Sequence, residues 1–330
     1  MTPVAATDGA RGARTQDRRT HFCDAAVNDQ LARTGYAVLP QRLTRHAVAE
    51  LAELHRLAVR EVGADDSGHF YPSMMITSPS VRARLWDGVQ SITEPFLAPL
   101  FEPGAVEVLG GPFVSKPASP NSFRLPHQDP TSIDERRHVS LSVWVPLVDS
   151  TRENGALEVL AGSHLMGNHP RPPDVESLHP DLAAEALRSS TAIELEAGSM
   201  MVIDGAVIHH SLPNRTDRGR VAAIAGVIPQ GHELYYVRSD AGAEAGTAEV
   251  HAFGIEGYRS GDLRAPGLDE RTLVERLPYR LATLEDLARS QAAASGTTTD
   301  DHEPPTAGVG EPGAGTAPRR WARRFGRRPR

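Results

Sequence analysis

Apolar residues recur at helical spacing through roughly the first hundred positions and at strand spacing afterwards. The run from Asp29 to Gly35 predicts a short helix stopped by glycine, followed by a strand over 36–39. Thr44 is placed to cap a longer helix whose apolar positions are Val48, Leu51, Leu54, Leu57 and Ala58. A third helical pattern, Val81, Leu85, Val89 and Ile92, is expected to end before Pro95. After Pro103 the texture becomes short apolar runs divided by Gly, Pro and Asn, which predicts a β-sandwich or barrel. Strands are expected at 105–109, 112–116, 122–128, 138–147, 156–160, 191–195, 200–204, 206–211 and 220–228. Residues 162–190 form a long excursion, expected to be an insertion over the barrel mouth, and loops of such length are usually functional or mobile. Positions 231–289 are mixed, with a last helix at 283–288. The ordered domain is thus expected over 21–289. Residues 1–20 lack periodicity and read as a disordered leader, and residues 290–330 are too poor in large apolar side chains to bury a core.

Composition narrows the class. A hydrophobic share of 39% with 23% charged residues suits a globular chain with a substantial core. No apolar run of about 18 residues occurs, so integral membrane association is not expected, and the leader has no apolar stretch of a secretory signal. A cytoplasmic location follows as the expectation. Cys23 is the single cysteine, which excludes an intramolecular disulfide framework and any cysteine-based zinc site. The net charge of −7 hides an asymmetry: residues 319–330 hold seven arginines and no acid, leaving the rest at −14. An acidic body argues against nucleic acid as the partner. The basic end, with Trp321 and Phe325 four apart, suggests either a solvated tail or a docking tag for an acidic carrier protein or anionic surface.

The candidate chemistry lies in two segments. His127 and Asp129 are one residue apart in an extended run, so both side chains leave the same face of a strand while Gln128 leaves the other. A third ligand is offered near the end of an apolar strand by His209 or His210, which face opposite ways, so one of the two serves. Two histidines and one carboxylate form the ligand set of non-haem Fe(II) sites, with positions left open for other ligands. Ser211 shares the face of His209. If the turn Pro213 to Thr216 closes a tight hairpin, Arg220 becomes the cross-strand partner of His209, and a corner between two sheets would also keep them close. A guanidinium and a hydroxyl beside a metal make a carboxylate receptor suited to a keto-acid that chelates iron.

These residues resemble the phytanoyl-CoA dioxygenase-like family of Fe(II)/2-oxoglutarate oxygenases. The resemblance rests on Pro126-His127-Gln128-Asp129, on the run from Glu153 to His164, and on His209, Ser211, Pro213 to Thr216 and Arg220, in family order and across about residues 30–235. It implies a mainly β fold with flanking helices, the double-stranded β-helix or jelly-roll of cupin-like barrels. It implies His127, Asp129 and His209 as iron ligands and catalytic residues, with Arg220 and Ser211 on the distal carboxylate of 2-oxoglutarate. Trp144 is either an aromatic wall of the co-substrate pocket or a barrel-core tryptophan, and His164 resembles a structural loop residue. The position after the distal histidine, commonly glycine in the family, is His210 here, so a shifted register stays open.

The activity implied is hydroxylation of an unactivated C–H in a small organic metabolite, with dioxygen consumed, 2-oxoglutarate converted to succinate and carbon dioxide, and ascorbate as a reductant. The intact Asp129 argues against halogenation, because related halogenases have a small residue there. Two other readings stand beside this one: a cupin-like metalloenzyme that does not use 2-oxoglutarate, and a non-catalytic binding module on the same fold. Candidate substrate determinants are Phe70, Tyr71, Met74, Met75, Arg136, Arg137, His138 and the 162–190 excursion.

Overall fold

The computed structural model describes residues 20–63, 67–167, 169–173, 178–239 and 245–295. The expected leader, apart from Thr20, and the tail from residue 296 lie outside these residues. In chain order the elements are α1 (Ala25–Thr34), β1 (Tyr36–Arg42), α2 (Arg45–Val62), β2 (Tyr71–Pro72), α3 (Pro79–Leu97), β3 (Val106–Leu109), β4 (Phe113–Lys116) and β5 (Arg124–His127). There follow β6 (Leu141–Pro146), β7 (Leu157–Leu160), α4 (Pro180–Ser189), β8 (Thr191–Ile193), β9 (Ser199–Asp204), β10 (Ile208–Ser211) and β11 (Arg220–Pro229). The last elements are β12 (Tyr235–Ser239), β13 (Ala245–Ala252), α5 (Gly254–Arg259), β14 (Leu273–Arg280) and α6 (Leu284–Ser295).

Two antiparallel sheets face each other. The larger runs β1-β9-β6-β11-β4-β2, with β3 also on β11, and the smaller runs β5-β10-β7-β8. From β4 to β11 the chain passes back and forth between them, which is the winding of a double-stranded β-helix. The alternation of side chains decides what each face meets. Val143 and Val145 of β6, Val202 of β9 and Ala223 and Ala225 of β11 point outward, where they pack with Leu51 of α2 and Val81, Leu85 and Val89 of α3. Trp144, Met201, Ile203 and Ala222 point inward and close the barrel core with Leu157 and Val159. Every residue of β9 is buried, as a strand covered on both faces must be.

Helix α2 starts where sequence places it, whereas α1 begins at Ala25, four residues before the expected Asp29, with Asp24 as its cap. Thr44 accepts a hydrogen bond from the Ala47 amide at 3.2 Å, and α1 ends at Gly35, whose φ of 78° is left-handed. A side chain at Gly35 would also strike His164, with a Cβ 2.7 Å from its Nδ1. Helix α3 differs from expectation by continuing through Pro95 to Leu97. The proline sits in the last turn, and the buried Thr93 and Leu97 hold that turn on the core. A further sheet, β12-β13-β14, occupies the stretch read as mixed, and α6 extends to Ser295, beyond the expected end at 288. No helix among the described residues is long and apolar enough to cross a membrane.

Candidate metal centre

The two ligand segments meet on the smaller sheet. Strand β10 lies between β5 and β7, with His209 directly opposite His127 on one side and Val159 on the other. The rings of His127 and His209 stand 4.3 Å apart between centroids. Asp129, just past the end of β5, brings Oδ1 to 3.8 Å from His209 Nε2. One ligand atom from each of the three lies within 4.8 Å of the others, the span a single cation can bridge.

Each candidate ligand is held by its own neighbourhood. His127 Nδ1 donates to the Leu125 carbonyl at 2.9 Å and His209 Nδ1 donates to the Val207 carbonyl at 3.1 Å, so both rings present Nε2. Burial, together with the charges of His209 and Arg124, pushes His127 well below the usual histidine range and keeps it neutral, as a ligand must be. Asp129 is held at three atoms. Its amide donates to the Gly205 carbonyl at 2.8 Å, Arg171 Nε donates to its carbonyl at 2.7 Å, and Ser142 Oγ donates to Oδ2 at 2.9 Å. Oδ1 is left facing the histidines. Gln128 leaves the opposite face, as expected, and its Nε2 donates to the Ala206 carbonyl at 2.6 Å, tying the two ligand segments together.

His210 turns away from this group. It is fully buried on the other face of β10, 3.8 Å from Glu158 Oε2, and burial lowers it to about 4. His164 is a structural residue whose Nε2 donates to the Ala32 carbonyl at 3.1 Å.

Arg220 reaches the barrel interior by the corner and not by the hairpin. The turn at 213–216 carries the chain from the smaller sheet to the larger, so Arg220 pairs with Lys116 of β4 and not with His209. An Asn-Arg pair offers no ready left-handed turn, and Asn214 is consumed elsewhere, its amide donating to the carbonyls of Lys116 and Arg218. Arg220 is 2% exposed. Its Nη2 donates to the Gly155 carbonyl at 2.9 Å, while Nε and Nη1 have no hydrogen-bond partner. The guanidinium lies 5.1 Å from the Trp144 ring, and burial lowers it to about 10. Ser211 is buried on the face of His209, and Trp144 on the barrel wall.

Several residues of the centre were not anticipated. Lys116 is fully buried, its Nζ donating to the carbonyls of Ser122 at 2.7 Å and Leu212 at 2.6 Å. Burial and the adjacent Arg220 lower it to about 7. It is also the only lysine among 35 basic residues, a signal present in the composition. Arg171 and Glu135, 3% and 4% exposed at the side chain, form an ion pair of 2.6 Å behind Asp129. Gly155 has its carbonyl on Arg220 and a φ of 78°, and a Cβ there would lie 2.4 Å from the Leu212 carbonyl.

The candidate determinants separate. Met74 is exposed and lines a cavity beyond Asp129, whereas Tyr71 belongs to β2 and packs on the core. Phe70 lies against Lys116, Arg136 pairs with Asp134 and Glu275, and His138 Nε2 is 2.8 Å from His232 Nε2.

The class defined here is a double-stranded β-helix that brings two histidines and an aspartate together as a donor set able to hold a metal ion. The phytanoyl-CoA dioxygenase (PhyH) family model matches residues 31–222, and the chain belongs to that family. A phytanoyl-CoA dioxygenase domain-containing protein 1 homolog of Dictyostelium discoideum is 31% identical over 124 residues, 35% of this chain and 41% of the relative. Phytanoyl-CoA dioxygenase 1 of Oryza sativa subsp. japonica is 32% identical over 108 residues, 32% of this chain and 38% of the relative. The chain therefore spans about two fifths of the curated relatives it matches. Among solved structures, EctD from S. alaskensis with 2-oxoglutarate and 5-hydroxyectoine aligns with a TM-score of 0.47 at 18% identity, over 68% of this chain and 82% of that one. The carbocyclase SnoK from nogalamycin biosynthesis aligns at 0.45 and 16%, over 64% and 86%.

Proposed function

We propose that this protein is an Fe(II)/2-oxoglutarate-dependent dioxygenase that hydroxylates an unactivated C–H of a small organic molecule in the cytoplasm. His127, Asp129 and His209 would hold the iron, and Arg220 with Ser211 and the Trp144 ring would hold the co-substrate. The observation that carries this reading is the buried Arg220 guanidinium with Nε and Nη1 unpaired, inside the same barrel as the three ligand side chains. Buried donors without partners are costly, and a carboxylate set against the guanidinium would satisfy at least one of them. The cupin-like reading gives that guanidinium no task, and a binding module usually lacks one of the metal-ligand residues, all three of which are present here.

Iron with bound 2-oxoglutarate supplies dioxygen activation coupled to decarboxylation. The chain's own residues supply placement. The carbonyls of Leu125 and Val207 fix both imidazole tautomers, and Ser142 holds Oδ2 so that Oδ1 faces the histidines and would be free to take a metal. The closed inner wall of Trp144, Met201 and Val159 keeps water from the co-substrate end. The Arg-rich segment 319–330, outside the described residues, serves in this proposal as a dock for a substrate presented on an acidic carrier protein.

The test is succinate formation by purified protein with Fe(II), ascorbate, 2-oxoglutarate and dioxygen. Slow turnover accelerated by one pool of candidate metabolites is the expected result. Under anaerobic conditions, 2-oxoglutarate should give the Fe(II) protein a weak visible charge-transfer band. Iron-loaded protein that forms neither succinate nor the band would overturn the reading in favour of the cupin-like alternative.

A further inference from the structure

Past Asp129, on the side away from Arg220, the barrel interior opens into a cavity of about 160 Å³. Strand alternation fixes its place. Along β11 the inner face carries Arg220, Ala222, Ile224, Gly226 and Ile228 in succession, and the register sets Trp144 beside Ile224 and Ser142 beside Gly226. Arg220 stands at one end of this row, and Ser142, bonded to Asp129, sits beside its fourth position, close to the other end. Gly226 and Ile228 lead into the cavity, whose apolar walls include Trp86, Leu109 and Leu234. A cavity of roughly 150 Å³ accepts a benzene ring.

The charges on the wall are one-sided. No aspartate or glutamate lines the cavity among the described residues, and two arginines do. Arg259 is neutralised by Asp87 and Glu256. Arg82 is not. It is 6% exposed, its two terminal nitrogens donate to the main-chain carbonyls of Ile76 and Ser260, and its Nε has no partner. Asp262, which feels its charge, is exposed and pairs with Arg264. Carbonyl dipoles offset part of the cost of burying a guanidinium, and a counter-charge would offset the rest.

We propose that this cavity receives the reacting part of the substrate, an apolar ring or branched chain bearing one carboxylate, with Arg82 as the residue that takes the carboxylate. The proposal rests on the oxygenase reading for its word "substrate" and on the cavity alone for its ligand chemistry. An amine is disfavoured because the wall offers a cation no acid.

Calorimetric titration of the full-length protein with cyclohexanecarboxylate, cyclohexanone and cyclohexylamine tests it without turnover. The expected result is binding of the carboxylate, at least tenfold weaker for the ketone and absent for the amine. Arg82→Gln should weaken the carboxylate at least tenfold, and Arg220→Gln should leave it unchanged. Loss in Arg220→Gln with retention in Arg82→Gln would place the probe at the co-substrate end and overturn the assignment. Equal binding of ketone and carboxylate, binding of the amine, or no binding of any probe would each overturn it as well. Arg82 also holds two carbonyls, so Ile228→Trp, which fills the cavity and leaves Arg82 in place, guards against a folding defect and should abolish carboxylate binding. Absence of succinate formation would leave these titrations standing, so the two readings fail separately.

Discussion

Arg171 Nε donates to the main-chain carbonyl of Asp129 at 2.7 Å, while its Nη2 pairs with Glu135 at 2.6 Å. A residue of the long excursion thereby fixes the backbone of a metal-ligand candidate. Removing either partner strands a buried charge, at a cost of about 3–5 kcal/mol in stability. Loss of a supporting hydrogen bond typically weakens a metal by about 10–100-fold. Arg171→Met and Glu135→Gln should therefore each lower the melting temperature and Fe(II) affinity. The double variant Arg171→Met/Glu135→Leu removes both charges and should recover much of the stability but not the affinity. Recovery of both in melting and metal-titration experiments would reduce Arg171 to a purely structural role.

The placement of His210 yields a sharper ligand test. Asp129→Ala and His209→Ala should each abolish iron-dependent succinate formation and tight metal binding. His210→Asn should cost stability, since it alters a fully buried side chain, while metal binding persists. Metal titration of the three variants checks this, and retention of metal in His209→Ala with loss in His210→Asn would reverse the register.

Much of this was legible in the chain. Strand alternation and turn residues placed β3 to β11 within a few positions, because two-sided burial writes long apolar runs such as 200–203. The pair His127 and Asp129 was legible because period two forces both onto one face. The hairpin pairing of His209 with Arg220 was not, because tight turns and sheet-switching corners share the same Pro and Asn signals. The sheet β12-β13-β14 was hidden by charges: Arg238, Glu249 and Arg276 form cross-strand ion pairs on an exposed face, which dilutes the apolar pattern. Arg171 with Glu135 and Ser142 with Asp129 join positions 36 and 13 residues apart that carry no periodic signal.

Arg220→Ala should chiefly weaken 2-oxoglutarate. Removing a charge-assisted hydrogen bond to a buried carboxylate costs about 2 kcal/mol, so the co-substrate KM should rise roughly 30-fold with a smaller change in kcat. Arg220→Lys should rescue little, since one ammonium cannot replace the fork. Co-substrate KM values for the three proteins decide it, and an unchanged KM would remove Arg220 from the co-substrate site.

The segment 300–330 is testable independently of the barrel. Deleting it should raise KM for a substrate on an acidic carrier protein and leave KM for the free substrate unchanged. Equal values with and without the segment would end the docking idea.

Lys116 links pH to stability with a definite sign. In the folded chain it is lowered to about 7, and in the unfolded chain a lysine titrates near 10.4. Between these values the unfolded state holds the extra proton, so stability should rise with pH by up to about 1.4 kcal/mol per unit, with the burial cost fully present below pH 7. Lys116→Met should lack this slope in denaturant titrations at pH 7, 8 and 9. Because Lys116 is the only lysine, lysine-labelled NMR reads its titration directly. Arg220 is one cause of the depression, so Arg220→Gln should move the midpoint upward, and 2-oxoglutarate bound at Arg220 should do the same by adding negative charge. A midpoint near 10.4 in the wild type would refute the electrostatic coupling between Lys116 and Arg220, and one that ignores 2-oxoglutarate would place the co-substrate elsewhere.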